Sequence, residues 1–158
     1  NWDNPLSMIP PYTLVTTPFK NWRGMTESGG RRADKCIYLD VNTLEIYSPD
    51  MIEDIMKAVP ALQAPIRQKQ AEGSSEISTN VGIYRLYIET YLRAHPYVNP
   101  GLDIIVTQKE ATAYGLPIEV YFFTKEKAWA AYERQQSDIF DHLMTIASDF
   151  GLRIYQRP

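Results

Sequence analysis

One cysteine and two histidines among 158 residues leave little from which to build a thiol nucleophile, a catalytic triad or a zinc centre. Cys36 has no partner for an internal disulfide. Its place in the apolar run Cys36-Ile37-Tyr38-Leu39 predicts a small buried hydrophobe in a reducing compartment. No stretch approaches the roughly 20 consecutive apolar residues of a bilayer-spanning helix, and no signal peptide opens the chain, so a soluble chain is expected. A large excess of one charge is also lacking. The net charge of −3 gives no basic footprint for a phosphate backbone, and nucleic acid is not an expected partner. Neither Gly-x-x-x-x-Gly-Lys nor Gly-x-Gly-x-x-Gly occurs, which removes the usual backbone cradle for nucleotides.

What is present is an ordinary globular composition, 44% hydrophobic and 22% charged, with enough apolar residues for a core. The chain opens at Asn1 without a methionine, and Trp2-Asp3-Asn4-Pro5 reads like the interior of a longer protein, so a fragment is expected. Residues 1–34 hold short apolar pieces, Met8-Ile9 and Tyr12-Thr13-Leu14-Val15, broken by Pro5, Pro10, Pro11 and Pro18. Such pieces suit short strands and turns. Gly29-Gly30 followed by Arg31-Arg32 then marks a domain boundary, because glycine reaches backbone angles that other residues resist.

From Lys35 the pattern is clearer. Ile37, Leu39 and Val41 alternate as in a strand with one buried face. Ser48-Pro49-Asp50 predicts a helix start, with a capping hydroxyl and proline at the first helical position, and the helix stops before Pro60. Residues 60–77 are polar and without sustained period, and a mobile excursion over 59–78 is expected. A second helix runs from Thr79-Asn80 to His95, with Tyr84, Tyr87, Ile88, Tyr91 and Leu92 on its core face. Leu102, Ile104 and Val106 alternate, as do Leu116, Ile118, Val120 and Phe122, with a hairpin link near 111–115. The last helix carries a stripe of Trp129, Tyr132, Gln136, Ile139, Phe140, Leu143, Ala147 and Phe150, stopped by Gly151. A final strand is expected over 152–156.

The order strand, helix, strand, strand, helix, strand predicts an α+β fold, a ferredoxin-like βαββαβ domain over 35–158 with a helix-loop insertion at about 48–78. This fold hosts many functions and decides little alone.

Asp138, Asp141 and His142 share a helix face and could approach one cation, but nothing completes the ligand set, and a solvated polar face is the simpler reading. His95 reads as a helix C-terminal residue whose partial positive charge suits the macrodipole. No catalytic, metal or cofactor-binding residues are therefore assigned, and no enzymatic activity is expected.

Ile9-Pro10, Phe19-Lys20-Asn21-Trp22-Arg23-Gly24-Met25 and Glu27-Ser28-Gly29-Gly30-Arg31-Arg32 together resemble one family, the small-conductance mechanosensitive (MscS-like) ion channels of bacteria, in their longer miniconductance branch. Thr79-Asn80-Val81-Gly82, Tyr91-Leu92-Arg93, Gly115-Leu116-Pro117-Ile118-Glu119-Val120-Tyr121 and Asp138-Ile139-Phe140-Asp141-His142 resemble the same branch. The resemblance implies a subunit of a homoheptameric cytoplasmic cage below a pore in the inner membrane, with an Sm-like β domain followed by the α/β domain. Residues 1–34 would be the tail of that β domain. Contact with the membrane would come only through transmembrane helices that this chain lacks. The resemblance carries no catalytic residues. It places Asn21, Trp22, Arg23, Arg31 and Arg32 at the junction between the domains, as candidates for interdomain or subunit contacts. The alternative reading is a regulatory ferredoxin-like domain that binds a small effector near polar loops such as Asn99-Pro100-Gly101. A metal-assisted hydrolase using Asp138, Asp141 and His142 is a third.

Overall fold

Alternation sets the sheet. In the computed structural model, which describes residues 30–157, β1 (Arg32–Leu39), β2 (Ile105–Gln108) and β3 (Leu116–Phe123) form a three-stranded antiparallel sheet in the order β1-β3-β2. The register pairs Ala33 with Phe122, Ile37 with Ile118 and Leu39 with Leu116. Those apolar residues are buried on one face, and Asp34, Cys36, Tyr38, Glu119 and Tyr121 fall on the other. Among the described residues four α-helices complete the α+β fold: α1 (Pro49–Ala58), α2 (Gln63–Glu72), α3 (Asn80–Ala94) and α4 (Trp129–Ile146).

Local chemistry explains the helix starts. The Ser48 side chain accepts from Met51 N–H and Pro49 stands at the first helical position, as the sequence predicts for α1. The Thr79 hydroxyl accepts from Gly82 N–H and opens α3. The stripe of α4 packs inward through Tyr132, Gln136, Ile139, Phe140 and Leu143. Its 3₁₀ extension Ala147–Phe150 ends at Gly151, at φ 70°, as expected.

Several expectations are corrected. β1 begins at Arg32 and stops at Leu39; Val41 starts a 3₁₀ turn and is exposed. The expected excursion over 59–78 is ordered backbone, a 3₁₀ turn Pro60–Leu62, then α2, then a 3₁₀ turn Ser75–Ser78. Leu62 and Ile66 are fully buried there, and Ile77 nearly so. Three anchors are too few to show a period, and Pro65 is harmless because it lies in the first turn of α2, where no amide partner is needed.

β2 is shorter than the alternation implied, and Ile104, though buried, precedes it. Residues 152–156 form no strand. They lie beside β1 through Asp40 N–H to the Arg153 carbonyl at 2.8 Å and Tyr155 N–H to the Tyr38 carbonyl at 2.9 Å, with one bridge, Leu39 to Ile154. Trp129, the first residue of α4, leaves the stripe and is 59% exposed, whereas Tyr132 three residues on is buried. Cys36 is exposed, since the inward placement of Ile37 and Leu39 turns it to the opposite face. Burial first, then the Glu119 and Asp34 carboxylates, push its thiol pKa up and keep it protonated.

Candidate junction site

Of the candidate contact residues, Arg31 and Arg32 fall where the chain enters β1. Asn21, Trp22 and Arg23 lie outside the described residues, as do the short strands expected before Gly29. Gly30 is buried with φ 100°, and a Cβ built there would stand 1.6 Å from the Thr124 carbonyl oxygen. Only glycine fits, by conformation and by space. The glycine pair predicted to permit unusual angles thus does so at Gly30, in a fixed position.

Arg31 is tied down at backbone and side chain. Its carbonyl accepts from Thr124 N–H at 2.9 Å, and its own N–H donates to the Thr124 hydroxyl at 3.3 Å. Thr124 is fully buried, so these bonds satisfy groups that water cannot reach. The Arg31 Nε donates to the Lys127 carbonyl at 2.8 Å. Its guanidinium lies 5.0 Å from the centroid of the Trp129 ring and 6.0 Å from that of Tyr132. A planar, weakly hydrated cation beside two adjoining aromatic rings, whose centroids are 5.6 Å apart, is a favourable arrangement, contributing about 0.5 to 1 kcal/mol at an exposed site.

Arg32 differs. Its backbone carbonyl accepts from the Tyr132 hydroxyl at 2.7 Å, while its side chain is exposed beside the sheet end. Gln136 Oε1 stands 3.0 Å from the same hydroxyl. Burial pushes the Tyr132 phenol pKa up, Glu133 adds to that, and Arg31 and Arg32 oppose it, so the hydroxyl stays a donor at neutral pH. The structure therefore sets Arg31 and Arg32 at one corner, with Arg31 engaged inside the unit and the Arg32 side chain exposed.

Sequence reasoning missed Thr124, Lys127, Trp129 and Tyr132 as parts of this corner. Trp129 carried a signal, since it opens the stripe one turn before the other large apolar residues.

Of the other candidate side chains, His142 has structural partners. His142 Nε2 lies 2.7 Å from the Tyr87 hydroxyl, and its ring stacks on Tyr91 at 4.4 Å. Asp138 and Asp141 are exposed. Among the described residues no group of three or more His, Cys, Asp or Glu side chains is arranged to hold a metal ion. His95 departs from expectation: burial first, and then His142, lower its pKa, against a smaller opposing effect of Asp138, so a positive charge at the end of α3 is disfavoured. Tyr84 is core, as predicted, with its hydroxyl donating to the Leu143 carbonyl at 2.6 Å. Among the described residues no helix is long and apolar enough to cross a membrane. No family model matches the chain.

Proposed function

We propose that this chain is the cytoplasmic cage region of a bacterial small-conductance mechanosensitive channel, a non-enzymatic scaffold and solute filter below the pore. The observation that carries the reading is the run Phe19 to Arg32 with its Asn-Trp-Arg-Gly and Gly-Gly-Arg-Arg elements, which resembles the junction between the β and α/β domains of that family. The strand order β1-β3-β2 supports it, because a ferredoxin-like βαββαβ domain has β3 between β1 and β2 and its last strand beside β1, where Ile154 makes its bridge. The way Gly30 and Arg31 are fixed to Thr124 and Trp129 supports it too, since a cage under load requires the chain to leave one domain and enter the next along a defined path. On this reading the parent protein is a homoheptamer of the inner membrane with this part facing the cytoplasm, and it releases ions and small solutes on osmotic downshock.

Opening is then driven in the membrane by tension, without a bound effector. Patch-clamp recording of membranes holding the full-length chain, together with survival after downshock, tests the assignment. A tension-dependent current is expected. Its absence from a correctly assembled protein sinks the reading. Trp22→Ala in the full-length chain should lower assembly or shift the opening tension, while Asp141→Ala on an exposed helix face should leave both unchanged.

A further inference from the structure

Both histidines of the chain stand in one cluster between the end of α3 and the C-terminal third of α4. The ring of His142 stacks on Tyr91, and Tyr91 meets His95 edge-on with centroids 5.3 Å apart. His95 lies 5.5 Å from Tyr97. Its Nδ1 accepts the backbone N–H of Tyr97 at 3.1 Å, and a ring nitrogen that accepts carries no proton.

That single bond begins a chain of contacts. The Tyr97 carbonyl accepts from Lys125 N–H at 2.9 Å, Val98 bridges to Thr124, and Asn99 N–H donates to the Phe123 carbonyl at 2.8 Å. Thr124 is the residue that holds Arg31 by backbone and hydroxyl and crowds Gly30. The turn braced by His95 therefore lies against one side of the strand end whose other side fixes the junction.

We propose that His95 is a proton-operated latch: a solvent proton taken up at Nδ1 removes the acceptor for Tyr97 N–H, frees the 95–99 turn, and loosens the hold of Thr124 on Gly30 and Arg31. The junction is firm at neutral pH and weakened in mild acid. The groups around the imidazole set the direction. From α4 come His142, which opposes a second positive charge, and the Asp138 carboxylate, which favours one; from α3 comes Tyr91 and from the turn Tyr97. Arg93 is paired with Glu89 at 3.2 Å on its own helix. Burial is the largest influence and disfavours the proton, so the folded turn binds it less readily than the open turn. By linkage the closed turn is stable above the ordinary histidine pKa and loses stability as pH falls through it.

The test is amide hydrogen exchange on the 158-residue chain at pH 7.5 and 5.5, corrected for intrinsic rates. Protection at Tyr97, Lys125 and Thr124 is expected to fall together, by up to about tenfold, the limit set by an ordinary histidine pKa near 6.5. In His95→Asn the side-chain oxygen can accept from the same N–H at any pH, as Asn99 Oδ1 accepts from Gly101 N–H, so this loss should vanish. An NMR titration of the His95 ring in the unaltered chain gives a second, independent reading, and the closed turn should titrate below the ordinary histidine value while protection of the three amides begins to fall at that value. The latch is overturned by a wild-type change under twofold, by an equal loss in His95→Asn, by a loss that stops at Tyr97, or by a His95 ring that titrates at or above the ordinary histidine value.

Discussion

The Asn80 side chain donates from Nδ2 to the carbonyl of Phe150 at 3.0 Å, joining the first turn of α3 to the end of the 3₁₀ segment after α4. The same Nδ2 donates to the Thr43 carbonyl at 2.9 Å, and Oδ1 accepts from Glu45 N–H at 2.9 Å. Asn80 is fully buried. One amide thus satisfies three backbone groups from two distant segments, and a side chain without both donor and acceptor leaves some of them unpaired.

Asn80→Ala should therefore cost about 2 to 4 kcal/mol, because a buried polar group left without a partner is more expensive than the bond was worth. Urea melts should show a lower midpoint with an unchanged slope. A loss below about 0.5 kcal/mol would mean that water replaces the amide.

Phe140 and Trp129 separate the buried part of α4 from its exposed start. Phe140 is 7% exposed and its ring centroid lies 6.1 Å from that of Phe122 on β3. Phe140→Ala should cost about 3 to 5 kcal/mol through lost transfer and a cavity. Trp129→Ala should cost about 1 kcal/mol or less, since it forfeits mainly the contact with Arg31. Equal losses in denaturant melts would contradict the placement.

At Gly30 both space and backbone angle forbid a side chain. Gly30→Ala should destabilise by about 2 to 4 kcal/mol or push the chain away from Thr124, since a Cβ would overlap a carbonyl in a buried corner. The NMR shifts of Thr124 and Trp129 report which occurs, and an unperturbed variant would show that the chain enters β1 by another path.

The outer sheet face carries a pH dependence of its own. Burial raises the Asp34 pKa to about 6, helped by a hydrogen bond with Glu119 and by its charge, against Arg32 and Lys109. The Glu119 pKa moves the opposite way, because Asp34 donates to it and Lys109 Nζ stands 3.0 Å from its Oε1. A folded pKa above the unfolded one, near 3.9, means stability that is complete below about pH 4 and lost as pH rises through about 6. Asp34→Asn should thus flatten the stability profile between pH 4 and 6. A carbon-detected titration of Asp34 should show a midpoint near 6, and a midpoint near 4 would remove the effect.

The sequence by itself determined the elements whose signals are local. Ser48-Pro49 and Thr79 start helices because capping needs only neighbours a few residues on, and Leu116 to Phe122 alternates because one face of a strand meets the core. Gly151 stops the last helix for the same local reason. Tertiary structure decided what depends on residues far apart in the chain. The α2 segment is held by Leu62 and Ile66, whose burial requires the rest of the unit. Residues 152–156 make a single bridge beside β1 although their pattern suits a strand. Of the candidate junction, Arg31 and Arg32 were visible as residue types, but the partners of Arg31 lie some ninety positions away at Thr124 and Lys127. The histidine cluster was hidden for the same reason: His95 and His142 look unrelated along the chain, and only the packing of α3 against α4 sets Tyr91 between them.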